Sequence, residues 1–437
     1  MRSLSVSPAH ARWPARVPLG ALLLFGLACA PRVTAPPAPA RRGPTEAERA
    51  AARADSARAR ARQDSVREVA ARAAAAAARE RARPVRNDTI AARPLRAPFG
   101  LCAGGDVTLG TNLDTAWAHQ ASKRMRERFH RDDRPATLLA PLRPLIRSAD
   151  VVLLNVESAI GAGRTASKCS QYSTNCYAFR SPPSSARALR ALAPRRTIVG
   201  NVANNHARDA GPRGLDSTIA ALGRAGVLVT GADTLATPVP TPAGDTIGVL
   251  GFYTSAEAPD ARDTAAVHRH VARAAGQYPV VVATMHLGAE GMDAQRTGDS
   301  TEVFLGIDRG NPVAFAEAAV RGGAALVVGH GPHVLRALEW RDRGALIAYS
   351  LGNLLTYGPF VLKEPLNRGA LLCATIDVTG RVSSAEVRST KQRAPGVLEV
   401  DREARAAALT DSLGTLDFPD TGARVDRTGK LRPRVRR

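Results

Sequence analysis

Between Pro98 and about Gln392 the chain alternates apolar runs of strand length with segments of helical spacing, and this constrains the fold most. The runs are FGLCAGG (99–105), VVLLNV (151–156), TIVGNV (197–202), VLVTG (227–231), TIGVLGFY (246–253), VVVATMHL (280–287) and ALVVGH (325–330). Ser184–Leu192, Gly214–Ala225 and Pro312–Arg321 carry helical spacing between them. Strands this continuously apolar are covered on both faces, so the pattern predicts an α/β fold. Further on, ALIAYSLGNLL, ALLCATIDV and SAEVRST follow with short connections and predict an antiparallel, hairpin-rich section.

The flanks differ from this middle. Arg2, Arg12 and Arg16 precede the apolar run Val17–Ala28, which ends at Cys29. About a dozen apolar residues is too short to span a bilayer and suits an export signal over residues 1–29. Gly26-Leu27-Ala28-Cys29 resembles a bacterial lipobox, which makes Cys29 the candidate lipidation site. The chain is expected on the extracytoplasmic side, as a membrane-anchored lipoprotein or a secreted protein. Residues 30–97 read as a Pro/Ala/Arg-rich linker and stalk. Thr45 and Glu48 match a capping box ahead of an Ala/Arg/Glu tract that lacks an apolar stripe. Residues 393–437 read as an extension, with a basic, disordered tail after about Phe418.

The formal net charge of +22 lies mostly in these flanks; residues 98–420 contribute only +4. With 4% aromatic residues as well, the composition argues against a nucleic-acid partner. It leaves anionic lipid or wall polymer as partners for the basic ends. Beyond Cys29 four cysteines remain. Cys169 and Cys176 flank a short polar loop and are a candidate disulfide. Cys102 and Cys373 each lie in an apolar run, and are either a second disulfide or buried thiols.

Polar clusters stand where five apolar runs end: Gly105-Asp106, Asn155-Val156-Glu157, Asn204-Asn205-His206, His286 through Glu290, and Gly329-His330-Gly331-Pro332-His333. Ligands of open α/β sheets bind beyond the carboxyl ends of parallel strands, so these clusters would meet in one crevice. Carboxylates, an amide oxygen and imidazoles together suit one or two divalent ions, with Mn, Zn, Fe and Mg not distinguished. Four of the nine histidines fall at these ends. Asp209, three residues after His206, either orients it or begins a turn.

These residues resemble the CapA-type poly-γ-glutamate capsule proteins, a branch of the calcineurin-like metallophosphoesterase superfamily. The resemblance rests on GDVTLG (105–110), NVES (155–158), YAFRSPPSSARAL (177–189), ANNHARDAG (203–211), HLGAE (286–290), GHGPHVLRALEW (329–340) and IAYSLGN (347–353). It implies a four-layer α/β/β/α sandwich over residues 98–392. It also implies metal ligands at Asp106, Glu157, Asn205, His286, His330 and His333. His206 would be the general acid, aided by Asp209, and an ion-activated water the nucleophile. Asn204, Arg180, Glu290 and Asn353 are the implied substrate-binding residues. Three departures stand out: Thr108 replaces a phosphoesterase His, a loss that CapA-type chains share; Leu287 replaces a Trp common in CapA-type chains; and the last motif is His-x-x-His instead of His-x-His. The function implied is a metal-dependent hydrolase-type protein of capsule or envelope polymer synthesis and export, acting on an anionic polymer or phosphate ester. A polymer-synthetase complex in the membrane is the implied partner. The alternatives are a non-catalytic accessory subunit, a phosphomonoesterase or phosphodiesterase, and an amide hydrolase of γ-linked glutamate.

Overall fold

The computed structural model describes residues 46, 94–162, 167–169, 176–257, 259–341 and 344–434. The export signal, Cys29 and almost all of the linker and stalk lie outside the described residues. Two compact units are present, 1–84 and 85–437; in the first only Glu46, helical and exposed, is described.

The second unit is built on two sheets. The first contains β1 (Phe99–Leu109), β2 (Val151–Val156), β3 (Thr197–Asn201) and β4 (Leu228–Thr230), all parallel. The second contains β5 (Thr237–Pro240), β6 (Thr246–Tyr253), β7 (Val281–His286), β8 (Ala324–His330), β9 (Leu338–Trp340) and β10 (Leu346–Ala348). Its order is β9-β10-β8-β7-β6-β5, with β6, β7, β8 and β10 parallel. The first sheet is completed by β11 (Asn353–Tyr357), β12 (Arg368–Ile376), β13 (Val382–Arg393) and β14 (Val397–Val400), in the order β14-β13-β12-β1-β2-β3-β4 with β11 also on β1.

Period-two side-chain alternation explains why both faces of these strands are apolar. Leu101, Ala103, Val151, Leu153 and Val199 meet Val249, Val282, Leu326 and Val328 in a core between the sheets. Their neighbours Cys102, Val152, Leu154 and Ile198 face outward. They pack under α1 (Thr115–Phe129), α2 (Ser184–Arg190) and α3 (Pro212–Ala225). On the other side Val281, Ala283, Met285 and Val327 pack under α4 (Thr264–Ala275) and α5 (Pro312–Arg321). The result is the expected α/β/β/α sandwich. Helix limits follow local chemistry. Pro212 opens α3 and left-handed Gly226 closes it, as a preset φ and a missing Cβ favour. Asn311 caps α5 by accepting from Val313 N and Ala314 N.

Two expectations are corrected. The hairpin-rich section holds for β12 to β14, which form an antiparallel meander. Before it, β10 lies parallel to β8 and β11 parallel to β1, so the chain crosses between the sheets at residues 349–352. Nor is the described part of the tail disordered: after α6 (Arg405–Asp417) the pair β15 (Arg424–Val425) and β16 (Leu431–Arg432) is formed. Sparse apolar residues hold it, with Ala406, Ala407, Ala423, Val425 and Leu431 buried in the inter-sheet core. Cys102 and Cys373 oppose each other on β1 and β12 and are disulfide-bonded, as are Cys169 and Cys176.

Candidate metal centre

The centre lies at the seam of the two sheets. Asp106 is not at a strand end, as its Gly-Asp context had indicated, because β1 continues through it to Leu109. Register irregularities on both sides of Asp106 mark a local bulge, a device that re-aims side chains. Gly105 is required there: a Cβ would sit 2.0 Å from the Gly352 carbonyl of the crossing segment. Glu157 follows β2, while His286 and His330 end β7 and β8 and are partners in register. The turn after His330 has Gly331 at φ +109° and His333 at φ +60°. A non-glycine residue there costs about 1–2 kcal/mol, and held strain of this kind clusters at functional sites.

The side chains converge. One ligand atom each from Asp106, Glu157 and His286 fits within a 4.8 Å group. His333 Nδ1 lies 3.1 Å from Asp106 Oδ2, and His330 Nδ1 is 3.7 Å from Oδ1. Glu157 Oε1 is 3.8 Å from both His286 Nε2 and His333 Nε2. Burial makes the arrangement costly. Both Glu157 oxygens, Asn205 Oδ1, His286 Nε2 and both His330 nitrogens are buried without a hydrogen-bond partner. Such groups usually cost about 1–3 kcal/mol each. Lone pairs from carboxylates, an amide and imidazoles, aimed at one another, are the donors a divalent cation takes. The residues therefore fit a metal.

Electrostatics agree. Burial raises the Glu157 pKa well above its ordinary value, and the Asp106 charge adds to this. Burial lowers His286, and lowers His330 to about 4 against the pull of Asp106. His333 is raised to about 10: burial opposes its charge, but Glu157 and Asp106 more than offset that. Burial would raise Asp106, yet the His333 hydrogen bond and the nearby imidazoles hold it below the carboxylate range. His333 is thus the one imidazole of the set whose charged form the surrounding acids favour.

Beside this set, His206 Nδ1 is 2.6 Å from Asp209 Oδ2, which leaves Nε2 as the reactive nitrogen. Burial lowers the His206 pKa, with Asp209 opposing. Its ring packs on Phe179 at 4.5 Å, and Phe179 stacks on Phe360, which lies 5.7 Å from the His333 ring. Glu290 reaches the cluster, with Oε2 3.8 Å from His333 Nε2 and Oε1 2.8 Å from Arg309.

Two residues expected on substrate have other partners. Asn204 Nδ2 donates to Asn155 Oδ1 and Val156 O, and its Oδ1 accepts from His206 N and Ala207 N. It shapes the loop that presents Asn205 and His206. Asn353 Oδ1 lies 3.1 Å from His333 Nδ1, and its Nδ2 donates to Leu366 O, so it orients His333. Arg180 is buried, with Nε donating to Asn112 Oδ1 at 2.8 Å.

Residues 100–357 match the family described as bacterial capsule synthesis protein PGA_cap. That span is more than half of the chain and holds every residue of the centre. The chain belongs to this family. It is also similar to a probable polyglutamine synthesis accessory protein of Mycobacterium tuberculosis, in strains CDC 1551 and H37Rv. Identity to each is 29% over 299 residues, covering 58% of this chain and 73% of that protein.

Sequence reasoning placed Asn155 in a polar cluster without giving it a role, and missed Asn201. Asn155 Nδ2 donates to Asp106 Oδ1 at 2.8 Å and lies 3.3 Å from His286 Nδ1. Its Oδ1 accepts from Asn201 and Asn204. Asn155 thus ties a ligand of each sheet to the Asn204 loop. The available signal was one amide in the otherwise apolar run VVLLNV. Thr108, at the position of the absent His, donates to Glu157 O at 3.1 Å and supplies no ligand.

Proposed function

We propose that this protein is exported and envelope-anchored, with a metal-dependent hydrolase-type site serving synthesis or export of poly-γ-glutamate or another anionic envelope polymer. The observation that carries this reading is the group of partnerless buried donors from Glu157, Asn205, His286 and His330. The accessory role in the printed name of the mycobacterial relatives and the export-type N-terminus support its cellular setting. Asp106, Glu157, Asn205, His286, His330 and His333 would hold one or two divalent ions. Bound there, an ion polarises a phosphoryl or acyl oxygen and lowers the pKa of water. His206 delivers a proton from Nε2 to the leaving oxygen, with Asp209 fixing the tautomer from the Nδ1 side. Stacked Phe179 and Phe360 line that side of the centre.

A second reading, a non-catalytic accessory subunit, is favoured by Thr108, whose hydroxyl faces a backbone carbonyl instead of the donors. Metal analysis of the purified chain with turnover of nitrophenyl phosphate separates the two. Bound metal, and activity lost in His206→Ala at unchanged metal content, supports catalysis. Bound metal without turnover of phosphate or γ-glutamyl amide supports the accessory reading. A chain that binds no divalent ion refutes the metal centre itself.

A further inference from the structure

Lys168 lies outside every motif that marks the centre, yet four contacts bring it there. Its Nζ is 2.5 Å from Asp209 Oδ1 and donates to Asn205 O at 3.0 Å. It also lies 3.5 Å from His206 Nδ1. Its backbone N donates to Asp209 O at 3.0 Å. The Asp209 carboxylate is fully buried and is gripped from the other side too. Phe179 N donates to Oδ2 at 2.6 Å, the oxygen that holds His206 Nδ1, while the Phe179 ring packs against the imidazole. One segment grips Oδ1 and the other grips Oδ2. Cys169, next to Lys168, is disulfide-bonded to Cys176, three residues before Phe179.

We propose that Lys168 and the Cys169–Cys176 disulfide form a covalent clamp that positions Asp209, and through it His206. A lysine loses much rotamer entropy when it is held in one place, and a partly exposed ion pair alone contributes little. With its side chain 34% exposed, Lys168 would be a weak anchor on a free loop. The disulfide changes this by restricting the unclamped states, since cross-linking removes chain entropy. The backbone bond from Lys168 N and the bond from Phe179 N then hold each end of the cross-link against the same aspartate. Lys168 is a positioning residue in this scheme, with no contact to the metal donors other than the Asn205 carbonyl.

The clamp rests on the reading of His206 as a proton donor, so its test uses a signal that does not require turnover. The full chain is labelled with 15N-histidine, and the His206 imidazole resonance is assigned by its loss in His206→Gln. In the wild type the Nδ1 proton should be held in slow exchange by Asp209. In Lys168→Met, and in the Cys169→Ser/Cys176→Ser pair, it should exchange roughly tenfold faster or more. Lys168→Arg, which keeps the charge, should restore it, whereas a purely structural loop lesson in packing would not follow the charge. Unchanged exchange in both Lys168→Met and the cysteine pair overturns the clamp. Turnover is read separately on two phosphate esters. Loss of proton delivery should lower the rate on an alkyl ester roughly tenfold or more, and on nitrophenyl phosphate by much less, because the better leaving group needs less help. Equal loss on both esters with unchanged imidazole exchange also overturns the clamp. A wild type inactive on both esters defeats the catalytic reading, while the resonance still decides whether the clamp exists.

Discussion

Glu157→Gln tests the centre most directly, because it should shift stability in opposite directions with and without metal. Both Glu157 oxygens are buried without hydrogen-bond partners. Burial and the Asp106 charge raise its pKa. For a carboxyl group raised in the folded state, the stability term is fully present below its unfolded value and is lost as pH rises. At pH 8 the metal-free wild type therefore bears a cost that the amide removes, and the metal-free variant should melt higher. Metal reverses the order. At a free ion concentration of about a hundredfold over Kd, binding to the folded chain contributes about 2.7 kcal/mol. The described unit extends over residues 94–434. At about 2.1 cal/mol/K per residue its unfolding entropy is roughly 0.7 kcal/mol/K, so the midpoint should rise by about 4 °C. The assay is a thermal melt at pH 8 in EDTA and in graded Mn or Zn, for both proteins. The wild type should gain the shift and Glu157→Gln should lose most of it. A variant that is less stable in EDTA, or that keeps the full metal shift, refutes Glu157 as a metal ligand.

Three further outcomes are expected. The metal-free chain should lose stability between pH 6.5 and about 10, because His333 binds its proton more tightly folded than unfolded; melts in EDTA across that range should flatten in His333→Gln. Replacing Cys102 and Cys373 together by serine opens a cross-link spanning 271 residues and should cost roughly 2–5 kcal/mol in denaturant unfolding. Gly105→Ala puts a methyl 2.0 Å from the Gly352 carbonyl and should cost about 1–3 kcal/mol, with reduced metal uptake measured on the fraction that remains folded.

The sequence carried the layers of the fold because their signal is local. VVLLNV and ALVVGH are apolar on both faces, and both became buried central strands. Helix α1 was harder to read, since only Ala121 and Met125 are buried along its 15 residues. The tail was misread for a related reason: basic residues dominate its composition, yet Val425 and Leu431 are enough to seat the last strand pair. The crossing at 349–352 was hidden because strand spacing says nothing about which sheet a strand joins. At the centre, Asp106, Glu157, His286, His330 and His333 stood out as polar residues at the ends of apolar runs. Asn155 stood in the same clusters but without a role, because that role appears only once β2 lies between β1 and β3. Lys168 could not be found from spacing at all, since its ion pair with Asp209 and the neighbouring disulfide appear only in the folded chain.

The division of candidate donors between the layers would give a bound ion a structural consequence as well as a chemical one. The first sheet supplies both carboxylates and, through the loop after β3, Asn205. The second sheet supplies only imidazoles, from His286, His330 and His333. Without an ion, two of these imidazoles are driven neutral by burial and only His333 is held charged against the acids. The attraction across the seam then rests on one residue, in a strained backbone conformation. Asn155 links Asp106 to His286 by its amide, but an amide adds no charge. A divalent ion would satisfy donors from both sheets at once. Metal occupancy and the closeness of the two sheets at this edge are therefore expected to be one equilibrium. The same argument explains how the centre tolerates Thr108, which completes no coordination shell but pins the Glu157 backbone to β1.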